Sequence, residues 1–380
     1  MSTLQYTVVV FQHIIQQNHK LAYSIIFILR TFQLLLFPLS LLYQGILRLR
    51  NHLYDIDFIG STQFDIPTIN IGNLAFGGTG KTPHIEYLIK LLSTHSMQVS
   101  VLSRGYKRKT IGYLFADKNA TPFTLGDEPY QLFCKFPQAS VAVSENRVLG
   151  IPNLLFDAPN TEVILLDDAY QHRALKAGLN ILLTEQDRLY CDDFLVPSGY
   201  LREYASASNR ANIIIVSKCK PNLSAEAKNN IIQKLKPLAH QKVFFSHLVY
   251  GEIVPYFTHQ TTIEAQAVLG VCGIARPVLF QNHLQEKYSQ VQFKSFPDHH
   301  SFTEKDIDWI VYEYEQIKVE NKIIITTEKD YQKLLQSAFI EKISSLPLYY
   351  LPIEIAFSSS DENAFNETIL QYVYANPRKY

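Results

Sequence analysis

A glycine-rich segment in the first quarter of the chain carries residue types that could bind a nucleoside triphosphate. Residues 69–83 read Ile-Asn-Ile-Gly-Asn-Leu-Ala-Phe-Gly-Gly-Thr-Gly-Lys-Thr-Pro. Backbone N–H groups of such a loop could wrap the phosphates, because residues without a Cβ let the backbone approach a ligand closely. The ammonium of Lys81 could reach the outer phosphates, and the hydroxyl of Thr82 could bind Mg²⁺. The expected ATP-binding residues are Gly77, Gly78, Thr79, Gly80, Lys81 and Thr82.

The segment departs from the strict phosphate-binding pattern at one position. That pattern has glycine five residues before Gly80, where this chain has Ala75. On the motif alone, a glycine-rich turn that merely begins a helix is the alternative. A β-branched run precedes the loop and an apolar pattern at helical spacing follows it from Ile85 to Leu92, which predicts strand, loop and helix.

Two adjacent carboxylates end another apolar run. Residues 163–168 read Val-Ile-Leu-Leu-Asp-Asp, which predicts a buried parallel strand with Asp167 and Asp168 at its tip. Two neighbouring acids repel each other unless a cation lies between them. Combined with Lys81 and Thr82, the pair favours a magnesium site formed by Thr82, Asp167 and Asp168 over a structural role.

Basic residues follow the short strand predicted at residues 99–102. The segment Ser-Arg-Gly-Tyr-Lys-Arg-Lys at 103–109 could hold an anionic substrate, since open α/β sheets bind ligands at the carboxyl ends of their strands. A solvated basic loop is the other interpretation. Arg147 is of interest only if it faces the phosphate loop, because Ser144 before it could simply cap a helix.

The elements that must position these residues alternate along the chain. At least five short apolar strands separated by helical patterns predict an α/β fold with a P-loop-type, doubly wound parallel sheet. The 380 residues exceed what one hydrophobic core usually holds, so a second, smaller α/β domain is expected. The expected division is an N-terminal extension of unassigned role (1–30), an interfacial membrane helix (31–55), the nucleotide-binding domain (56–250) and the smaller domain (251–380).

Composition excludes several classes of partner and site. The formal net charge is zero, which argues against nucleic acid as a partner. The four cysteines show no C-x-x-C spacing and indicate buried thiols in a reducing compartment rather than zinc ligands or disulfides. Residues 217–220 read Ser-Lys-Cys-Lys and lack the aspartate of a guanine-reading loop, which weighs against a GTPase.

The apolar segment at residues 21–50 suggests contact with a membrane. Arg30 interrupts it and Pro38 would kink a helix, so no charge-free run reaches the roughly 20 residues that span a bilayer. Polar side chains fall within one arc of a helical wheel: Arg30, Gln33, Ser40, Gln44, Arg48 and Asn51. This distribution predicts a helix in the membrane interface with its arginines near anionic head groups. A core-packed helix and a single spanning helix are the alternatives.

Seven motifs follow one another in the order found in the lipid A 4′-kinases (tetraacyldisaccharide 4′-kinases), and the chain resembles that family from about Leu34 to its C-terminal strands. They are Gly-Asn-x-x-x-Gly-Gly-Thr-Gly-Lys-Thr-Pro, Ser-Arg-Gly-Tyr, Gly-Asp-Glu-Pro, Leu-Asp-Asp-x-Tyr-Gln-His-Arg, Pro-x-Gly-x-Leu-Arg-Glu, Phe-x-Asp-His and Thr-Glu-Lys-Asp. Family members also carry a non-glycine residue at the position of Ala75. Ala169 departs from the family, which usually has glycine there, and residues 1–30 precede its typical start.

The resemblance implies transfer of the γ-phosphate of ATP, with Mg²⁺, to the 4′-hydroxyl of a tetraacylated glucosamine disaccharide 1-phosphate, a lipid A precursor. It implies Asp127 as the base, His299 from the second domain as its partner, and Lys81 on the phosphates. Residues implied to line the substrate and transition-state side are Arg104, Tyr106, Glu128, Arg147, Gln171, His172, Arg202 and Glu203.

The same resemblance implies a monotopic enzyme on the cytoplasmic face of the bacterial inner membrane, in contact with anionic lipids. Nothing in the sequence specifies an oligomer, and a monomer is favoured. A nucleotide-dependent membrane-associated switch or scaffold that transfers no phosphate to lipid is the alternative function. The pair Asp127 and His299 discriminates between the two, because a switch does not require it.

Overall fold

The structure is a computed structural model and describes residues 35–257, 264–274, 277–298, 300–334 and 337–379, without the side chains of residues 337 and 338. The predicted N-terminal extension, the first residues of the predicted interfacial helix and His299 lie outside the described residues.

Fourteen strands are described in two sheets. They are β1 (Thr68–Asn73), β2 (Val99–Ser103), β3 (Leu114–Phe115), β4 (Ser140–Val143), β5 (Val163–Asp167), β6 (Leu179–Glu185), β7 (Ile213–Ser217), β8 (Lys242–Tyr250), β9 (Val254–Pro255), β10 (Ala267–Cys272), β11 (Gln290–Ser295), β12 (Lys322–Thr327), β13 (Leu348–Leu351) and β14 (Ile353–Phe357). The larger sheet has nine strands in the order β14-β8-β7-β6-β1-β5-β2-β4-β3. Its strands from β8 to β4 run parallel, and β14 and β3 are antiparallel edges.

The helices begin with α1 over residues 35–55. The others are α2 (Lys81–Thr94), α3 (Pro122–Leu125), α4 (Asp127–Lys135), α5 (Arg147–Asp157), α6 (Ala225–Leu235), α7 (Pro277–Lys287), α8 (Glu304–Gln316), α9 (Glu328–Leu334), α10 (Ser337–Ile343) and α11 (Ser359–Ala375). Two short 3-10 helices cover Tyr190–Asp192 and Ala205–Arg210.

The central strands form the core of the larger unit. Every residue of β1 and of β5 is buried, as expected for parallel strands with helices on both faces. Helix α2 packs on this sheet through Ile85, Ile89 and Leu92, which are fully buried. Each such side chain contributes about 1.5–3 kcal/mol relative to exposure. This packing fixes the start of α2, and therefore Lys81, at the carboxyl end of β1.

The predicted doubly wound α/β sheet with a second α/β unit is confirmed. The smaller sheet has the order β11-β10-β12-β13-β9, with β9 antiparallel to β13. The chain enters it after β8 and leaves it through Pro352, and Gly251 N–H donates to the Pro352 carbonyl at 3.0 Å, so the two connections run side by side.

The end of the chain corrects the predicted domain division. The predicted division places residues 353–375 in the smaller domain, but β14 pairs with β8 in the larger sheet. Helix α11 buries Phe365, Ile369 and Val373 in the core cluster that also contains β1. An apolar run does not reveal which sheet it will join, because strand pairing joins residues far apart in sequence.

Candidate active site

The loop between β1 and α2 has the backbone that its glycines predict. Gly77 and Gly80 have φ values of +113° and +89°, a region that residues with a Cβ rarely adopt. Three successive carbonyl oxygens of the loop accept hydrogen bonds from elsewhere in the protein. Those of Gly78, Thr79 and Gly80 accept from Lys218, Ser217 and His84, respectively. With its carbonyls turned to protein donors, the loop matches the backbone arrangement of anion-binding nests.

His84 anchors the first turn of α2. Its Nδ1 lies 2.6 Å from the Gly80 carbonyl oxygen and its Nε2 lies 3.0 Å from Ser246 Oγ. Burial lowers the pKa of His84 to about 4, so the ring is neutral at physiological pH. Because a carbonyl can only accept, Nδ1 carries the proton and Nε2 accepts from the Ser246 hydroxyl. The side chain therefore joins the loop to β8.

The paired acids lie beside this loop, as predicted. Strand β5 is next to β1, with Ile71 opposite Asp167. Lys81 Nζ is 3.8 Å from Asp168 Oδ1, and Arg202 donates to both oxygens of Asp168 at 2.7 and 2.9 Å. Burial alone would raise the pKa of Asp168, but the charge of Lys81 and the contacts with Arg202 outweigh it and lower the pKa to about 2. Asp168 is thus an ionised carboxylate held by two cations.

Asp167 has different surroundings. It is 4% exposed, and Ser103 Oγ donates to its Oδ2 at 2.7 Å. Its Oδ1 has no hydrogen-bond partner among the described residues. Burial, followed by the charges of Glu128 and Asp168, raises the pKa of Asp167 to about 6. An orphaned carboxylate oxygen between other acids fits a bound cation.

A magnesium ion would draw its protein ligands from few residues. Within the part of the chain that the structure describes, no group of three or more His, Cys, Asp or Glu side chains could hold a metal. Thr82, at the second position of α2, and the carboxylates at the tip of β5 remain. This fits Mg²⁺, which is commonly bound by one or two carboxylates together with substrate phosphates and water.

The charges of three arginines act on His172, the residue after Gln171. Arg147 is 2% exposed and donates to the backbone carbonyls of Asp167 and Asp168 at 3.0 and 3.4 Å, so it faces the acid pair. Burial, then the charges of Arg147, Arg104 and Arg50, lowers the pKa of His172. A neutral imidazole among arginines is a setting that favours an anion. The α5 helix is capped by Asn146, not by Ser144, because Asn146 directly precedes it.

Asp127 is the first residue of α4. Gly126 precedes it with a φ of +93°, so Asp127 lies in the first turn, where its charge complements the helix dipole, rather than at the cap position. Asp127 Oδ2 lies 3.5 Å from Lys333 Nζ. His299 is outside the described residues. Its neighbour His300 stacks on Phe296 with ring centroids 4.6 Å apart.

Comparison with known proteins identifies the family to which the chain belongs. Residues 32–374 match the family model described as tetraacyldisaccharide-1-P 4′-kinase. Over 347 residues the chain is 45% identical to the tetraacyldisaccharide 4′-kinase of Flavobacterium johnsoniae, with 90% of this chain and 97% of that protein covered. The chain belongs to this family. It is therefore an ATP-dependent lipid A 4′-kinase, and the alternative of a switch without phosphoryl transfer is set aside.

Two further similarities support the assignment. The tetraacyldisaccharide 4′-kinase of Bacteroides thetaiotaomicron is 42% identical over 357 residues, covering 90% of this chain and 94% of that one. The crystal structure of the "apo" form of LpxK from Aquifex aeolicus, in complex with ATP, aligns with a TM-score of 0.70 and 28% identity. That alignment covers 90% of this chain and the whole of the other.

The kinase fold brings most of the predicted substrate residues to one edge of the sheet. Gln171 Nε2 donates to the Asn73 carbonyl at 2.9 Å, at the end of β1. The Ser-Arg-Gly-Tyr loop is adjacent to the start of α4, since a Cβ on Gly126 would lie 3.0 Å from the Tyr106 carbonyl oxygen. Glu203 is the exception, because its carboxylate is buried and accepts from both Arg210 (2.8 and 2.9 Å) and Asn51 (2.5 Å). Glu203 therefore stabilises the protein next to the site through Arg210 and Asn51 and does not line the site itself.

Sequence reasoning missed several residues of the kinase site. Arg50 Nη2 donates to the Gln171 carbonyl at 2.8 Å, which connects α1 to the site. Leu47, one turn before Arg50, and Asn51, the residue after it, are buried, so helical spacing is a signal that could have marked this arginine as inward-facing. Lys218 and Lys333 carry no local signal, because each acts on an element distant in sequence.

Several polar residues of α1 contact the rest of the protein. Ser40 Oγ donates to the Leu195 carbonyl at 3.0 Å, and Arg48 lies 5.8 Å from the ring centroid of Tyr204. Part of the polar arc therefore packs against the protein, while Arg48 lies over the Tyr204 ring and stays exposed. Large apolar side chains face away from the protein: Leu35, Phe37, Leu39, Leu41, Leu42, Ile46 and Leu49. In the described part of the chain, every helix is too short or too polar to cross a bilayer.

Proposed function

We propose that Asp127 accepts the proton of the sugar 4′-hydroxyl while Lys81 and Arg202 provide positive charge around the transferring phosphoryl group. The observation that carries this proposal is the 3.8 Å contact between Lys81 and Asp168, which joins the glycine-rich loop to the acid pair. Phosphoryl transfer depends on positioning and charge neutralisation more than on covalent chemistry. The cations of this site supply that neutralisation on a rigid sheet edge.

In this proposal Asp167 and Asp168, at the carboxyl end of β5, have different roles. Asp168 holds Lys81 and Arg202 in place, since its oxygens are engaged by both. Asp167 presents the orphaned Oδ1 and would hold Mg²⁺ together with Thr82. When bound, the ion neutralises charge on the β- and γ-phosphates. The loop N–H groups of Gly77, Gly78 and Gly80 would bind the phosphate oxygens, whereas the Thr79 N–H donates to the Gly77 carbonyl at 3.1 Å.

The arginine cluster receives the acceptor lipid. Arg50, Arg104 and Arg147 act together on His172, and their charges suit a phosphorylated disaccharide. Tyr106 is 68% exposed on the loop that packs beside Gly126, close in the chain to the proposed base. Glu128, whose charge reaches Asp167, lies between the metal side and the sugar side. His299 would assist Asp127 from the smaller sheet.

The outward face of α1 attaches the kinase to the membrane. Its apolar side chains would enter the interfacial layer of a bilayer, as amphipathic helices do. The helix also contacts the site through Arg50 and Gln171, so a lipid whose acyl chains stay in the membrane could present its head group there. The kinase would work as a monotopic protein on the cytoplasmic face of the inner membrane, where ATP is available.

Substitution of the proposed base tests the assignment. Asp127→Asn should lower kcat by about 10²–10⁴ with little change in the KM for ATP, because a general base acts in the transition state. The assay follows radiolabelled γ-phosphate from ATP into the disaccharide lipid. Asp117→Asn is the matched control, because Asp117 is exposed and bonded locally to Asn119. An unchanged kcat in Asp127→Asn would remove this residue from the role of base.

A further inference from the structure

Helix α9 of the smaller unit lies along α4 of the larger one and makes ion pairs at both ends. Glu328, at the start of α9, is 2.8 Å from Lys135, at the end of α4. Lys333, near the end of α9, is 3.5 Å from Asp127, at the start of α4. The two helices are therefore antiparallel. The proposed base occupies one end of this helix pair.

The end of the helix pair away from the base is tied to α2, the helix that follows the nucleotide loop. Lys135 Nζ is also 2.7 Å from Glu86 Oε2, and Glu86 belongs to α2, which begins at Lys81. Gln131 Nε2 donates to the other oxygen of Glu86 at 2.8 Å. Burial raises the pKa of Glu86 to about 7 although the charge of Lys135 acts against it. One ammonium thus joins a helix of the smaller unit to the helix that follows the loop.

Lys333 is held in place by its own unit. It is 6% exposed and donates to the His300 carbonyl at 3.1 Å. Its ammonium is 3.9 Å from Asp330, a fully buried acid that accepts from Thr327 Oγ1 at 2.6 Å and from Gly273 N–H at 2.7 Å. The ammonium therefore has a defined position before it meets Asp127.

Asp127 and Lys333 differ in solvent exposure, unlike the two partners of a fully buried ion pair. The Asp127 side chain is 27% exposed, whereas that of Lys333 is 7% exposed. The lysine is covered by protein while the carboxylate remains accessible to a ligand. Charged groups near Asp127 include Lys333, with Asp330 behind it on α9, and Glu128, the next residue of α4.

We propose that Lys333 is a positioning residue for Asp127: its ammonium orients the carboxylate and favours its ionised form. Phosphoryl transfer would then require α9 to be docked on α4, which couples the smaller unit to catalysis. The proposal rests on the proposed role of Asp127 as the base. It adds a residue that carries no motif at its position and that belongs to neither the nucleotide loop nor the arginine cluster.

Three variants of the full chain test the proposal in the lipid phosphorylation assay. Lys333→Met should lower kcat about 10–100-fold and move the acid limb of the kcat profile to higher pH by about one unit, because the carboxylate loses its neighbouring cation. The KM for ATP should stay unchanged. Lys333→Arg should restore most of kcat and the position of the acid limb. Glu328→Gln weakens the ion pair at the opposite end of α9 but leaves the Lys333 ammonium next to Asp127. This variant should lower kcat without moving the acid limb of the pH profile.

Additional variants distinguish a loss of folding from a loss of the contact between Lys333 and Asp127. Lys333→Gln, whose amide can still donate to the His300 carbonyl, replaces Lys333→Met if that variant does not fold, as judged by thermal melting. An acid limb at the wild-type position in the neutral variants, or a profile equal to that of Glu328→Gln, would overturn the proposal. The role of Asp127 is tested separately: if Asp127→Asn is impaired and Lys333→Met is not, only the inference about Lys333 fails. In Asp127→Asn, the additional Lys333→Met change should cause little further loss.

Discussion

Replacing three outward side chains of α1 should release the kinase from membranes. Leu42, Ile46 and Leu49 are 66%, 59% and 62% exposed, respectively. Full burial of such a side chain is favourable by about 1.5–3 kcal/mol, so moving the exposed part of each into lipid contributes about 1–2 kcal/mol. Changing all three to serine should weaken binding by about 3–5 kcal/mol. This corresponds to a fall of about 10²–10⁴ in the partition coefficient.

Co-sedimentation with vesicles of phosphatidylethanolamine and phosphatidylglycerol measures this coefficient. The matched control changes three other exposed apolar residues, Ile111, Leu149 and Phe156, to serine. That variant should sediment like the wild type, because none of the three lies on α1. Raising the salt concentration should leave most of the binding intact, because the exposed face of α1 carries mainly large apolar side chains.

Two results would refute this reasoning. If the α1 variant still sedimented like the wild type, attachment would lie elsewhere in the chain. If the control variant lost binding equally, general surface hydrophobicity would explain the association. Activity of the α1 variant on substrate dispersed in detergent should remain near the wild-type value, which shows that the site itself is intact.

Three further predictions concern the loop and the packing around β1. Lys81→Met should lower kcat about 10³-fold in the phosphorylation assay, because its ammonium at Asp168 supplies charge to the outer phosphates. The free energy of unfolding of the wild type, measured with urea, should fall by about 2 kcal/mol between pH 7 and pH 5 through His84 alone. The reason is that the unfolded ring takes up a proton below its ordinary pKa of 6.5, whereas the folded ring stays neutral down to about 4. The His84→Gln variant should lack this loss. Gly178→Ala should lower Tm, with an overpacking cost of about 1–3 kcal/mol, because its Cβ would lie 2.0 Å from the Tyr372 hydroxyl, while kcat at 25 °C should be retained.

Local chemistry made the nucleotide side of the site predictable. The glycines, Lys81 and Thr82 are contiguous, so one strand and one helix suffice to place them. The acid pair could be assigned to the same edge because parallel strands share the direction of their carboxyl ends. The observed register of Ile71 against Asp167 agrees with that expectation. The sequence pattern thus identified acidic residues at a strand end, and the parallel topology of the sheet placed them beside the loop.

The supporting contacts depend on pairings between distant segments. Arg202 follows the acids by more than thirty residues, yet its guanidinium bonds both oxygens of Asp168. The helical wheel of α1 separated a polar from an apolar face correctly, but it could not say which face meets protein. In water the polar face would point outward. Here Ser40 and Asn51 have polar partners on the protein, which is why the helix is turned the other way.

The acid pair shows how far environment separates residues that sequence makes equivalent. Asp167 and Asp168 are adjacent and chemically identical, yet their pKa values are displaced in opposite directions, to about 6 and about 2. Asp168 has positive φ (+50°), which turns it out of the strand towards Lys81 and Arg202. Asp167 stays in the strand, buried beside Ser103. One acid is therefore already paired with protein cations, and the other has an oxygen without a hydrogen-bond partner among the described residues. This asymmetry supports the proposal that Asp167 binds the ion, and it arises from one backbone dihedral and two distant cations rather than from the motif.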